Sequence, residues 1–234
     1  MLLSTLVFLV AAALIPPLLL LLFVYRMDKI EQEPLPLLRS LFLRGVLAMF
    51  PILILELIGD QVVGIFSWSQ MLYLFFAYFV IPGFIEEGVK YQVLVRRIWN
   101  EPNFNYTFDA IVYAVFVSLG FAAVENVMYV LTTGFSTAVV RAIFSIPGHA
   151  MFGVVMGAGI AKAKRLEVRG EDQEAERAKT RVWVSAAVLH GFYDFLLVGF
   201  GPVFYAYFLC LLVYVVRLLK RSAAEDEPIG SSYF

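Results

Sequence analysis

Seven stretches of this chain are each long and apolar enough to cross a bilayer, and no other feature limits the fold so strongly. A spanning helix takes about 20 mostly apolar residues, and residues 2–25, 38–58, 69–95, 109–131, 138–161, 182–199 and 202–219 all qualify. In hydrocarbon every backbone N–H and C=O has to find a partner inside the protein, which dictates helices for such segments. The expected fold is therefore all-α, a polytopic transmembrane helix bundle forming one domain over residues 1–221, with a disordered cytoplasmic tail at 222–234. Hydrophobic residues make up 61% of the 234, more apolar surface than one soluble core would hide. Met1 to Tyr25 has no basic stretch ahead of its apolar run. That run also exceeds the ~7–15 residues of a signal-peptide core, so it is read as a retained anchor helix.

The breaks between segments carry their own signals. Lys and Arg are concentrated in the connections at 26–39, 96–105 and 162–181 and after Arg217, and are missing from those at 59–68, 132–137 and 199–202. This alternation fits seven spans, with the N-terminus outside and the C-terminus in the cytoplasm of a cell-membrane protein. The charge run at 167–181 is expected to be a solvated helix or loop on the inner face. With no basic stripe there is no case for nucleic-acid binding, and the single cysteine, Cys210, excludes a disulfide or a multi-cysteine metal site.

Charged side chains within spans cost about 2.5–3.5 kcal/mol each on insertion scales, so those that persist pair, line a cavity or bind something. They are Glu86, Glu87 and Lys90 in the third segment, Glu125 beside Asn126 in the fourth, His149 in the fifth, and His190 and Asp194 in the sixth. Glu56 and Asp109, near segment ends, are expected to be solvated at the interface. Glu86 and Lys90 stand four residues apart on one helix face, the spacing of an intrahelical ion pair, which leaves Glu87 unexplained. His190 and Asp194 repeat that spacing, so both could reach one metal, or the Asp could orient the imidazole. The protein's two histidines and one carboxylate, Glu125, are what a catalytic zinc takes from a protein. A further Glu is then available as general base.

Pro82-Gly83 lies just before Glu86 and Pro147-Gly148 just before His149, and both are expected to break or kink their helices beside the polar residues. A break is needed. Straight helices rising ~1.5 Å per residue put Glu86 about 25 Å and Glu125 only roughly 6 Å below the outer surface.

Four motifs now stand in order: EExxK at Glu86-Glu87-Gly88-Val89-Lys90, FxxxE from Phe121 to Glu125, HxxxG from His149 to Gly153, and HxxxD from His190 to Asp194. Together they resemble the PrsW family of bacterial intramembrane proteases, distant relatives of the CAAX-prenyl endopeptidases. The likeness extends from the Asp28/Glu33-Pro34 stretch to Asp194. It implies cleavage of a membrane-anchored protein, namely the first, extracytoplasmic cut in a single-span anti-sigma factor during a stress response. It also implies that Glu86 and Glu87 activate water and that Glu125, His149 and His190 complete the site. Asp194 stands where CAAX-type relatives have a polar residue assigned to the oxyanion. A carboxylate is a poor oxyanion donor, so a ligand or imidazole-orienting role is expected instead. Glu125 stands where the CAAX enzymes have His, which leaves open a zinc-dependent or a metal-free glutamate mechanism.

Two readings from other classes compete. Intramembrane Glu, His and Asp chains also serve as proton relays in ion-coupled transporters, although no inverted repeat is visible. A non-catalytic membrane scaffold or self-immunity protein is the third reading.

Overall fold

The structure is a computed structural model, and it describes residues 2–230. Its helices are α1 (Leu2–Met27), α2 (Leu35–Gly64), α3 (Gln70–Leu74), α4 (Ile81–Ile98), α5 (Asp109–Thr133), α6 (Phe135–Ile143), α7 (Ser145–Val168), α8 (Asp172–Gly199) and α9 (Gly201–Ala224). A π-helical stretch, Phe75–Val80, joins α3 to α4. Together these make seven helical units long and apolar enough to span a bilayer, as the sequence predicts, with α3 to α4 and α6 to α7 each forming one broken span.

The two breaks fall where proline and glycine put them. Pro82 sits in the first turn of α4, and the π stretch just before it absorbs the irregularity that a residue without an N–H imposes on a helix running on from α3. In the fifth span the kink lies at Phe144 (φ −113°), three residues ahead of Pro147. The loop expected at 132–137 shrinks to Gly134 alone. Its φ of +93° is a conformation that L-residues avoid, and it lets α5 turn directly into α6. The expected turn at 59–68 also shortens, because α2 continues to Gly64.

Helix α5 is the axis of the bundle. Nearly three-quarters of its most apolar window (72%) is buried, against 22% for α1 and α9, whose outward faces are Leu, Val and Phe fit for lipid. Its closest neighbours are α7 and α2. Without a hydrophobic force between helices in lipid, such contacts depend on close backbone approach at small residues. A methyl built on Gly45 of α2 would lie 2.0 Å from the Val117 carbonyl oxygen, and one on Gly120 of α5 would lie 2.2 Å from that of Phe42. The crossing of α4 and the π stretch with α8 is made the same way. There Gly83 approaches the Ala187 carbonyl and Gly191 the Phe79 carbonyl, at 2.6 and 2.5 Å for the same virtual methyls.

The connections rich in Lys and Arg gather at one end of the bundle. Trp99 Nε1 donates to Glu167 (2.8 Å), Asn105 Nδ2 to Glu31 (3.1 Å), and Arg165 pairs with Glu227 (2.5 Å). The chain beyond α9 departs from the disorder expected after residue 222. Glu227 O accepts from Thr107 N (3.1 Å), Asp226 accepts from Phe108 N (2.8 Å), and Ile229 is buried against the loop at 104–108. Backbone pairing of this kind is invisible to composition, which in an acidic, polar tail favours disorder. Residues 231–234 of that expectation lie outside the described residues. The charge run at 167–181 spans the end of α7, a short turn at 169–171 and the first turns of α8 from Asp172.

Gly191→Ala is expected to destabilise the protein by about 1–3 kcal/mol through overpacking against a backbone oxygen that cannot yield. Gly88→Ala, where a methyl meets open space, should change stability little. Thermal unfolding of the two variants in one detergent checks the contrast.

Candidate active site

Glu86, Glu87 and Lys90 lie on the inward face of α4, one turn beyond the Pro82 break, and are respectively 5%, 0% and 1% exposed. Lys90 Nζ donates to Glu86 Oε2 (2.8 Å) and Glu87 Oε1 (2.9 Å), so one ammonium holds both members of the adjacent pair. It also lies 3.3 Å from His149 Nδ1 and 4.1 Å from the centre of the Phe121 ring, whose π face is a further partner for a desolvated cation. The FxxxE motif thus supplies a ring to Lys90 and, one turn on, a carboxylate to His149.

The two imidazoles are held alike. His149 Nε2 is 2.9 Å from Glu125 Oε2, and His190 Nε2 is 3.2 Å from Asp194 Oδ2. Their Nδ1 atoms point the other way, toward the glutamate pair, with His190 Nδ1 3.0 Å from Glu87 Oε1. A carboxylate on Nε2 favours the N–H on that nitrogen and leaves a lone pair on Nδ1. Phe152 stacks on the His190 ring (4.6 Å between centroids, 19°) and fixes its plane.

Ligand atoms of Glu86, Glu87, His149 and His190 all fall within 4.8 Å of one another, a buried His/Glu cluster able to hold a metal ion. Two observations test the fit. Glu87 Oε2 is buried and has no hydrogen-bond partner. In addition, a lone pair on His190 Nδ1 directed at Glu87 Oε1 is favourable only with a cation or a proton between them. The mixed imidazole and carboxylate set is one that zinc accepts. Glu125 lies outside this four-residue group, on the far nitrogen of His149, and Asp194 has the same relation to His190. The depth conflict between Glu86 and Glu125 is met by interposing His149, which reaches both.

A cavity of about 390 Å³ adjoins the cluster, with Glu86, Glu125, His149, His190, Tyr193 and Asp194 on its wall. Glu87 is not on that wall; it sits behind, sealed from the cavity. Asp60, Val140 and Val198 border the cavity near the ends of α2, α6 and α8, which places its mouth at the end opposite the basic connections.

Three wall residues escaped sequence reasoning. Arg141 pairs with Glu125 (2.6 Å) and donates to Asn126 (2.9 Å), and its signal was visible as a lone cation within an apolar segment. The Tyr193 hydroxyl is buried without a partner, and a tyrosine inside HxxxD gives no warning of that. Glu56, expected at the interface, lies on the cavity wall. Asp109, also expected to be solvated, is 1% exposed; its carboxylate accepts the backbone N–H groups of Asn105 and Tyr106 at 3.0 and 2.7 Å. Short polar side chains near helix starts are held by local backbone donors as readily as by water.

Fold and site define a polytopic membrane protein closed around a buried His/Glu cluster able to hold a metal ion. Residues 33–218 match the family model described as PrsW family intramembrane metalloprotease. The chain is 32% identical over 222 residues to Protease PrsW of Bacillus subtilis (strain 168), covering 94% of this chain and 96% of that one. It is 31% identical to Protease PrsW of Oceanobacillus iheyensis, covering 94% and 97%, and 33% identical to Protease PrsW of Clostridioides difficile (strain 630), covering 92% and 88%. No solved structure matches. The chain belongs to the PrsW family, as its four motifs led us to expect.

Lys90→Met would leave two adjacent buried carboxylates without their shared cation. Breaking a buried pair in this way costs about 3–5 kcal/mol, so this variant is expected to lose most of its thermal stability in detergent. A Glu86→Gln/Glu87→Gln/Lys90→Met triple variant should regain part of it.

Proposed function

We propose that the chain is a zinc-dependent intramembrane endopeptidase that cuts a single-span membrane protein at the end of the bundle away from its basic connections. The observation that carries this reading is the buried group of Glu86, Glu87, His149 and His190 with one side open to a cavity. The segregation of Lys and Arg at the other end supports an orientation with the N-terminus outside the cell membrane and the C-terminus inside. On that orientation the cut falls on the extracytoplasmic side, and the motif resemblance favours an anti-sigma factor as substrate.

The roles follow from position. Glu86 faces the cavity and is the general base: as the water oxygen attacks the scissile carbonyl carbon, Glu86 takes its proton. It then delivers that proton to the amide nitrogen as the C–N bond breaks. Lys90 Nζ, 2.8 Å from Glu86 Oε2, positions that carboxylate on the cavity wall. Glu87, with its free oxygen, and the Nδ1 atoms of His149 and His190 would hold the zinc, while Glu125 and Asp194 orient the imidazoles. A zinc ion held by these residues would supply Lewis-acid polarisation of the carbonyl and a more acidic water. Arg141 neutralises Glu125 at the mouth. The unpartnered Tyr193 hydroxyl is the donor available to the oxyanion.

The test is cleavage of a tagged single-span anti-sigma factor by the purified protein, together with zinc content. Glu86→Gln should abolish cleavage with zinc retained, whereas Glu87→Gln should lose both. Chelation should stop the wild type and zinc restore it. Cleavage that persists after chelation would replace this mechanism by a metal-free glutamate one, and full activity in Glu86→Gln/Glu87→Gln would end the protease reading. Tyr193→Phe is expected to lower kcat about 10²–10³-fold with little change in KM, as removal of one oxyanion donor does.

A further inference from the structure

A second buried acidic group lies at the opposite end of the bundle and takes no part in the proposed chemistry. Asp28, Glu33 and Asp109 each offer a carboxylate oxygen, all within 4.8 Å of one another. They are 2%, 3% and 1% exposed, as buried as the active-site glutamates, yet among the described residues no lysine or arginine forms an ion pair with them. They come from three places in the chain: the first residue after α1, the extended stretch just before α2 and the start of α5.

Acidic clusters are common and prove nothing alone, but this one contains unpartnered atoms. Both carboxylate oxygens of Asp28 are buried without a hydrogen-bond partner, and so is Asp109 Oδ1. The partners of Glu33 and Asp109 are donors at the edge, with Tyr113 Oη donating to Glu33 Oε2 (2.5 Å) and the backbone N–H groups of Asn105 and Tyr106 binding Asp109 Oδ2, together with a contact between the Glu33 and Asp109 carboxyls themselves; the Glu33 backbone lies beside the Asp28 carboxylate. The charges acting most strongly on Asp28 and Glu33 are negative, from Asp226 and Glu31 on the first and from Asp28 and Glu31 on the second. Burial first, and these neighbours next, push the Asp28 carboxyl up to about 6; burial likewise pushes Glu33 up. Three carboxylates thus converge with unpartnered oxygens on Asp28 and Asp109, and among the described residues no side-chain cation pairs with them.

We propose that Asp28, Glu33 and Asp109 bind one hard divalent cation, of the Mg²⁺ or Ca²⁺ class, separate from the active-site metal. The donor set is all oxygen, with neither imidazole nor thiolate, which selects hard ions over zinc. The ion clips the α1–α2 connection to the head of α5. Because α5 packs on α2 and α7 and carries Glu125 at its other end, the ion's effect is on the stability of the bundle.

The experiment uses the full-length protein in detergent, stripped with chelator and saturated with zinc, then titrated with Mg²⁺, Ca²⁺ or Mn²⁺ while thermal unfolding is followed. The wild type is expected to show a saturable rise in Tm with at least one of these ions. Asp28→Asn should weaken that ion's apparent affinity at least tenfold, while His190→Ala, in the other site, should leave it unchanged. An absent rise, or one that Asp28→Asn leaves intact, overturns the proposal. Should Asp28→Asn fail to fold, pulsed electron paramagnetic resonance of Mn²⁺ added to the zinc-saturated wild type decides. Bound Mn²⁺ without nitrogen coupling supports the carboxylate site. Nitrogen coupling, or no bound Mn²⁺, refutes it. None of these readouts depends on cleavage, so failure here and failure of the protease reading are distinguishable.

Discussion

The ammonium of Lys90 is the interaction on which the rest of the site depends. Two adjacent glutamates facing the interior of a membrane protein repel each other, and each has lost its water. A single cation one turn away on the same helix reaches both, and the Phe121 ring covers its remaining face. With that charge in place, Glu87 can also face His190 and Glu86 can face the cavity, so one lysine allows the neighbouring carboxylates to have different environments. Environment differentiates them: one is sealed and one is open.

The scaffold around this triad is shaped by where backbones can touch. Glycine crossings of α2 with α5, and of α4 with α8, bring helices closer than any side chain would allow, and α8 thereby delivers His190 to Glu87. The π stretch before Pro82 and the kink at Phe144 give the third and fifth spans the irregularity that straight rods lack. Irregular backbone at this depth is tolerated because protein or a cavity surrounds it. The two imidazoles, each held from behind by a carboxylate, then converge with their Nδ1 atoms toward the same pair of glutamates.

Much of this was legible in the chain. Spans follow from apolar length, and the gathering of basic connections at one end follows from the alternation of Lys and Arg. The ionisable residues of the four motifs were conspicuous because apolar helices carry few such groups. Legibility failed where the meaning of a residue depended on a distant partner. Asp109 near a span end reads as solvated until the loop at 105–106 is seen folded over it. The acidic tail reads as disordered until its backbone is seen paired with Asn105 and Thr107.

By itself the sequence determined the number of spans and the presence of ionisable motif residues within them, because burial in lipid is a local property of composition and length. Only the tertiary structure decided which carboxylate meets which ring nitrogen, that Glu87 is sealed while Glu86 faces the cavity, that Arg141 and Tyr193 line the wall, and that three carboxylates converge at the far end. Those pairings join residues far apart in the chain and on different helices. Helical periodicity gives the face of each helix, but the rotation and depth of one helix against another come from packing.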